Sequence, residues 1–230
     1  MSSPYIAVLV PTRGLLFTDT MMALLRELSP MKHAFFFTKD LPIPDCRNAL
    51  VKAARDCGVP FTHYLMVDDD VIIPEGGVQA MLDMEKPVVI IDYPTHAMGI
   101  GANRGNVAYT VWKKGDSTEG KVIAWAGLGC TLVEAKVFNK FTYPYFRKGG
   151  QYFDRDKQGK MVLYGNGDTD GGEDYEFYFD CKKFGYQVEQ VKDMVCGHAK
   201  IMRHIGVVEQ GKYVKQHEII IANAIEEPFK

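Results

Sequence analysis

Apolar residues fall in short dense runs separated by stretches of helical period. Tyr5–Val10 (YIAVLV) reads as a buried strand and Ala34–Thr38 as a second strand, while Tyr64–Val67 and Pro87–Asp92 (PVVIID) have the length and continuity of buried strands. Between the first two, Thr18 is placed to cap a helix whose apolar face is Met21, Met22, Leu24, Leu25 and Leu28. After the Pro-rich turn LPIP, Asp45 is placed to cap the best-patterned helix. Its Cys46, Ala49, Leu50, Ala53, Ala54 and Cys57 recur every three or four residues, and Gly58 stops it. Strands alternating with helices imply right-handed crossovers and a mostly parallel sheet, hence an α/β fold. That half has a nucleotide-binding architecture, although no GxGxxG or GxxxxGK[ST] loop accompanies it.

The second half is less regular. Residues 76–84 form a weakly patterned helix, and residues 99–120 are glycine-rich and polar, suggesting a hairpin or loop around Val107–Trp112. Lys121–Ala126 and Cys130–Val133 read as strands flanking Gly127-Leu128-Gly129. A helix of about two turns follows, with Val133, Val137, Phe138 and Phe141 on one face. Residues 149–174 read as a long functional loop. Glu173–Phe184 reads as a helix ended by Gly185, and Tyr186–Val191 as a strand. The segment from Lys200 is ambiguous. No repeat, low-complexity tract or linker divides the chain, so one domain is expected.

Composition narrows the class. The chain has 230 residues, 47% hydrophobic and 24% charged, ordinary values for a globular protein. A net charge of −2 provides no global field toward nucleic acid or an anionic membrane. Five cysteines without paired spacing point to reduced thiols, with Cys46, Cys57 and Cys181 at apolar helical positions. With no signal peptide and no apolar run near 18 residues, a soluble cytoplasmic protein is expected.

The chemistry concentrates at His63–Pro74, HYLMVDDDVIIP. A buried strand ends in three carboxylates, Asp68, Asp69 and Asp70, which repel one another unless a cation or proton neutralises them. The carboxyl ends of strands in an open α/β sheet are where ligands bind. Asp68 and Asp70 therefore form a candidate Asp-x-Asp metal site; the bland reading is an acidic loop facing water. Farther on, Glu173 and Asp174 open a helix in which Asp174, Phe177, Tyr178 and Cys181 share a face, leaving Glu176 and Lys183 to water. Asp174 then points at the sheet, suited to general-base work; ordinary first-turn electrostatics is the alternative. His198, just beyond a β-like piece, is a candidate metal ligand, with His204 as competitor.

Taken together, VLVPTRG, DCRNALVKAARDCG, YLMVDDDVIIP, GLGCTLVEAKVFNKF, GEDYEFYFDCKKFGY and CGHAK resemble, in order, the motifs of GT-A fold glycosyltransferases. The nearest group is the family-2-like set of short soluble enzymes, some encoded by bacteriophages. The resemblance spans roughly residues 5–200. It implies one GT-A domain with a smaller mixed β region on the acceptor side. A donor-nucleotide half would cover about residues 1–95, an acceptor and catalytic half about 96–205, and a tail about 206–230.

Carried over residue by residue, the resemblance places Pro11, Thr12 and Arg13 at base or ribose, and Arg47 and Asn48 near the nucleotide or its diphosphate. Asp68 would face the ribose, with Asp69 beside it, and Asp70 would bind metal together with Asp68. Gly127, Leu128 and Gly129 would line the sugar and acceptor pocket. Asp174 would be the base, with Glu173 second choice, and His198 would complete the metal site. The implied cofactor is Mn²⁺ or Mg²⁺, and the implied reaction is inverting transfer from a nucleoside-diphosphate sugar to a hydroxyl. A UDP-sugar is favoured, with a GDP-sugar as alternative, because no clear acidic residue ends the second strand to read the base.

Two other functions compete. In a haloacid-dehalogenase-like phosphotransferase the Asp-x-Asp carries the nucleophile, and Asp168, Asp170 and Glu173 would hold Mg²⁺. Against it, two strand–helix units precede the acidic strand, whereas in that family the nucleophile usually lies on the first. A non-catalytic sugar-nucleotide-binding module is the second rival. The acceptor is least determined. Between Lys136 and Lys160, seven Lys or Arg residues meet only two Asp, interleaved with Phe141, Tyr143, Tyr145, Phe146, Tyr152 and Phe153. Basic residues among aromatics suit sugar rings or bases. A carbohydrate or small-molecule acceptor is favoured, with a modified DNA base as alternative.

Overall fold

The computed structural model describes residues 3–12, 14–39, 41–96, 107–109, 112–114, 122–148, 152–155, 161–164, 172–199, 203–209 and 212–218. In chain order the first half comprises β1 (Tyr5–Pro11), α1 (Thr18–Leu28), β2 (Lys32–Thr38), α2 (Ile43–Asp56), β3 (His63–Val67), β4 (Val71–Ile72), α3 (Gly77–Asp83) and β5 (Val88–Asp92). The second half holds the short strands β6 (Pro94–His96), β7 (Val107–Tyr109), β8 (Trp112–Lys114) and β9 (Val122–Trp125), then β10 (Cys130–Glu134) and a 3₁₀ turn over Ala135–Asn139. After these come β11 (Tyr152–Arg155), β12 (Met161–Tyr164), α4 (Glu173–Lys183), β13 (Val188–Val195), β14 (Gly197–His198), β15 (Arg203–Glu209) and β16 (Lys212–Glu218).

Six strands form the central sheet in the order β13-β5-β10-β3-β1-β2. All neighbours run parallel except β10, which is antiparallel to both β3 and β5. Alternation along the strands divides the core. Leu9, Tyr64, Met66, Ile90 and Val133 face Leu50 of α2, Phe177 and Tyr178 of α4, and Phe138 and Phe146. Val8, Val10, Leu65, Val67, Val89 and Leu132 face Leu24 and Leu28 of α1 and Val78 of α3. With both faces covered, β1, β3 and β5 read as nearly unbroken apolar runs, which is why the sequence reveals them, whereas the edge strand β2 is only half-buried, with Phe37 exposed. The α/β class, the mostly parallel sheet and the smaller antiparallel pairs are as the sequence leads one to expect.

The helices differ in detail. Thr18 is the first helical residue, and Phe17 occupies the cap position with no side-chain bond. On α1 the buried residues are Thr20, Ala23, Leu24, Glu27 and Leu28, while Met22 and Leu25 are exposed. The face is turned because Glu27 is drawn inward, where its carboxylate accepts hydrogen bonds from the backbone N–H groups of Gly76 and Val78. On α2 the cap is Pro42, not Asp45; Asp45, Arg47 and Asn48 are buried, and Cys57 is exposed. Glu176 of α4 is buried rather than solvated, because Arg147 Nε donates to it at 3.0 Å and Arg147 Nη2 to Asp180 at 2.7 Å. The expected two-turn helix after Cys130–Val133 is the 3₁₀ turn. The expected loop 149–174 contains the antiparallel pair β11–β12, and β15 pairs antiparallel with β16 beyond Lys200.

Phe141, Tyr145 and Phe146 belong to the core, where Phe138 and Phe177 stack around them. They therefore are not a platform for bases or sugars. Tyr143 stays partly exposed. Among the described residues no helix is long and apolar enough to cross a membrane.

Candidate functional site

At the carboxyl end of β3 the chain leaves the central sheet through Asp68–Asp70 and continues as β4, part of a separate two-stranded sheet with β14. Two antiparallel rungs, His198 opposite Val71 and Gly197 opposite Ile72, bring β14 alongside. The Ala199 N–H donates to the Asp70 carbonyl at 2.7 Å. This pairing sets the His198 Nε2 3.1 Å from Asp70 Oδ2, with both side chains largely enclosed. Asp69 is buried, and its carbonyl accepts from the N–H of Phe17 at 3.1 Å.

Arg47 of α2 approaches from the other side. Its Nη2 donates to Asp68 Oδ1 at 2.7 Å, and its Nε lies 3.9 Å from Glu173 Oε1. The side chain is 4% exposed, and Nε and Nη1 have no hydrogen-bond partner. Burial works against this charge, but Asp68 and then Glu173 outweigh it and hold the pKa above the ordinary guanidinium value. One guanidinium thus joins the acidic tip of β3 to the start of α4, with two donors to spare.

Glu173 and Asp174 open α4 as expected, and Phe177, Tyr178 and Cys181 are buried on the sheet side. Asp174 Oδ1 accepts the N–H of Tyr175 at 2.7 Å. Burial raises the Asp174 pKa, and the neighbouring Glu173 charge raises it further, against opposing pulls from that N–H and from Arg47. Farther along the helix, the Tyr178 hydroxyl lies 3.1 Å from Thr131 Oγ1 and 3.5 Å from the Gly127 carbonyl, tying α4 to the Gly127–Gly129 turn.

Beneath that turn sits Tyr93, which the sequence reading does not single out. Its hydroxyl accepts the Gly129 N–H at 3.3 Å, and its ring meets the His198 ring edge-on at a centroid distance of 5.5 Å. A Cβ on Gly127 would lie 2.1 Å from the Tyr93 hydroxyl, and one on Gly129 would lie 2.8 Å from it and 2.9 Å from Asp68 Oδ2. The two glycines make room for a phenol. Burial, followed by the nearby Asp68 charge, pushes the Tyr93 pKa far above its ordinary value, so the hydroxyl is neutral.

The remaining predicted residues are distributed as follows. Pro11 and Thr12 end β1, where Thr12, Leu15, Leu16, Phe37 and Thr38 border an open cleft of about 320 Å³. Arg13 lies outside the described residues, as do Asp168 and Asp170 of the phosphotransferase alternative. Asn48 is buried, and its amide is engaged on both sides by the Phe146 backbone at 2.8 and 3.0 Å. Leu128 is buried in the core. His204 lies opposite His217 in the β15–β16 pair, outside the central sheet.

Asp70 and His198 present a carboxylate oxygen and an imidazole nitrogen at one point; the carboxylate suits Mn²⁺ or Mg²⁺, and the imidazole, a ligand of transition metals, favours Mn²⁺ over Mg²⁺. Asp68 is turned to Arg47. Among the described residues no group of three or more His, Cys, Asp or Glu forms a complete ligand set. The pair therefore fits as half of a site, the rest of the coordination sphere being left to a ligand and water.

No protein-family model matches the chain, and no curated protein matches it. Among solved structures, A197 from STIV matches over 86% of both chains, with a TM-score of 0.55 at 15% identity. The two share a fold. A glycosyltransferase involved in the glycosylation of the major capsid of PBCV-1 matches 59% of this chain and 63% of its own, with a TM-score of 0.35 at 15% identity. TarS of S. aureus matches 84% of this chain and 59% of its own, with a TM-score of 0.39 at 11% identity.

Proposed function

We propose that this chain is a metal-dependent glycosyltransferase that moves a sugar, with inversion, from a nucleoside-diphosphate sugar to a hydroxyl acceptor. The observation that carries the reading is the reach of Arg47, 2.7 Å from Asp68 and 3.9 Å from Glu173. It puts the Asp-x-Asp tip and the helix-start carboxylates at one end of the sheet, around one cation.

In this reading the nucleotide lies along the ends of β1 and β3. Its base enters the cleft bordered by Thr12 and Phe37, and its ribose meets Asp68. Arg47 turns its two unused donors, Nε and Nη1, toward diphosphate oxygens; each charge-assisted bond of this kind is worth about 1.5–3 kcal/mol. Asp70 and His198 would hold Mn²⁺ or Mg²⁺, with Asp68 nearby, and an ion bound there would supply Lewis-acid stabilisation to the leaving diphosphate. Asp174 accepts the proton of the acceptor hydroxyl as its oxygen attacks the anomeric carbon, and a single displacement inverts the configuration. Burial and Glu173, by raising the Asp174 pKa, strengthen it as a base. The donor is a UDP-sugar or GDP-sugar and the acceptor a carbohydrate or small molecule. A modified DNA base is the alternative acceptor, and the buried Phe141, Tyr145 and Phe146 speak for neither class.

The test is product analysis with candidate nucleotide sugars, Mn²⁺ and a panel of sugar acceptors. Transfer that stops in chelator and inverts the anomeric configuration supports the reading. Turnover unaffected by chelator would contradict the metal role, and retention of configuration would contradict Asp174 as a simple base.

A further inference from the structure

Tyr93 stands immediately after β5, with 7% of its surface exposed. It touches two separate segments of the candidate site, the Gly127–Gly129 turn and His198. Its hydroxyl takes the Gly129 N–H at 3.3 Å, while the Gly129 carbonyl takes the Asp68 N–H at 3.1 Å. One residue, Gly129, therefore relays the position of the phenol to the backbone of Asp68 through its N–H on one side and its carbonyl on the other. Its ring lies edge-on to His198, on the strand whose carbonyl and amide groups pair with β4. Gly127 and Gly129 leave the gap that the hydroxyl fills, since a methyl group at either would meet it at 2.1 or 2.8 Å. Real side-chain carbons do not approach that closely, so the two glycines and the tyrosine form one fitted unit.

We infer that Tyr93 is a positioning residue for the donor site: its hydroxyl sets Asp68 through Gly129, and its ring sets His198. One side chain thus registers the nucleotide-facing carboxylate against the metal-facing imidazole. This assignment rests on the glycosyltransferase reading and adds to it. It also gives Gly127 and Gly129 a different task from lining a sugar pocket, namely housing the phenol. Outer partners of this kind act on ligands through the groups they orient, and their loss typically weakens metal binding about 10- to 100-fold.

The two contacts are separable. Tyr93→Phe removes the hydroxyl and keeps the ring edge; Tyr93→Leu removes both. The probes are Mn²⁺ alone, followed by electron paramagnetic resonance, and Mn²⁺ with whichever of UDP, GDP, CDP and ADP the wild-type chain binds best, followed by calorimetry. Tyr93→Phe should keep Mn²⁺ affinity within about twofold and lose about tenfold in nucleoside-diphosphate affinity, whereas Tyr93→Leu should lose about tenfold in both. A second variant set guards against simple unfolding. Gly127→Ala should abolish nucleotide binding, and adding Tyr93→Phe should restore part of it, because the 2.1 Å clash with the hydroxyl is then gone. The 2.7 Å approach to the ring carbon that bore it remains to be relieved by a small shift of the ring. Tyr93→Phe binding the nucleotide as wild type does would overturn the inference. So would parallel losses of both ligands in Tyr93→Phe, which mark a general packing defect. If the wild-type chain binds neither Mn²⁺ nor any nucleoside diphosphate, the glycosyltransferase reading itself falls, and the assignment of Tyr93 with it.

Discussion

At the tip of β3, Asp68 and Asp70 each meet a basic partner: the Arg47 guanidinium at 2.7 Å and the His198 imidazole at 3.1 Å. At the start of α4, the basic group that Glu173 and Asp174 meet among the described residues is the far side of the same guanidinium, 3.9 Å from Glu173. Their proximity to each other and the burial of Asp174 raise its pKa. One pair thus has a basic side chain at each carboxylate and is tied by them to α2 and β14. The other is short of positive charge, and part of it holds a proton more readily than an ordinary carboxylate does. The contrast separates two tasks that carboxylates perform in one cleft. Compensated groups hold a cationic or hydroxylated ligand in place, and an under-compensated, desolvated one exchanges a proton.

The sharpest break of this contrast is chemical. Asp174→Asn should reduce transfer by about 10³-fold, within the usual range for a general base, while leaving donor binding within about twofold. Product formation and calorimetry, run on the same preparation, check both halves. Normal transfer would move the base elsewhere, with Glu173→Gln the next variant to make.

Removing the shared cation comes second. Arg47→Met leaves Asp68 and Glu173 facing one another without compensation, and breaking an enclosed pair costs about 3 kcal/mol. Denaturant unfolding should show that loss, and the further substitution Asp68→Asn should recover part of it, because the uncompensated charge is then gone. Strict additivity of the two changes would mean that Arg47 does not organise the tip.

At the compensated end, Asp70→Ala and His198→Ala should each weaken Mn²⁺ binding about 10- to 100-fold, whereas His204→Ala should leave it unchanged. Paramagnetic titration distinguishes them. Equal effects of His198→Ala and His204→Ala would remove the distinction drawn between the two histidines.

The smallest effect concerns pH. A carboxylate whose folded pKa is raised favours the folded state only while protonated, and that contribution fades as pH rises through the raised value. Asp174→Asn should therefore raise the melting temperature at pH 7. The gap to wild type should close as pH falls below the ordinary carboxylate value of 3.8. A gap independent of pH would show that Asp174 is ordinarily solvated.

Much of this arrangement is written in the chain order. A strand buried on both faces must be apolar throughout, so Tyr64–Val67 announces both itself and the break at Asp68. The helix start at Glu173 and the stop at Gly185, which takes φ +80°, are equally plain. What escapes is polarity turned inward. On α2 the periodic Cys and Ala residues suggest a purely apolar face, yet the buried surface also takes in Arg47 and Asn48, because distant partners, Asp68 and the Phe146 backbone, satisfy them there. Glu27 turns α1 by the same logic, and Arg147 draws Glu176 inward. Tyr93 escapes because it is a single aromatic beyond the run Val88–Ile91 and Asp92, with no pattern of its own. The one local signal is the Gly-x-Gly pair after a strand, which announces a close neighbour without naming it.

The central claim is that both carboxylate pairs serve one donor bound at the end of the sheet. A thermal-shift titration of the wild-type chain with UDP, GDP, their sugars and inorganic phosphate, each with and without Mn²⁺, tests it most directly. At a hundredfold excess over Kd, one nucleotide with Mn²⁺ should raise the melting temperature by about 5 °C or more, and phosphate should not. Equal or absent shifts for every nucleotide, whatever the metal, would contradict it.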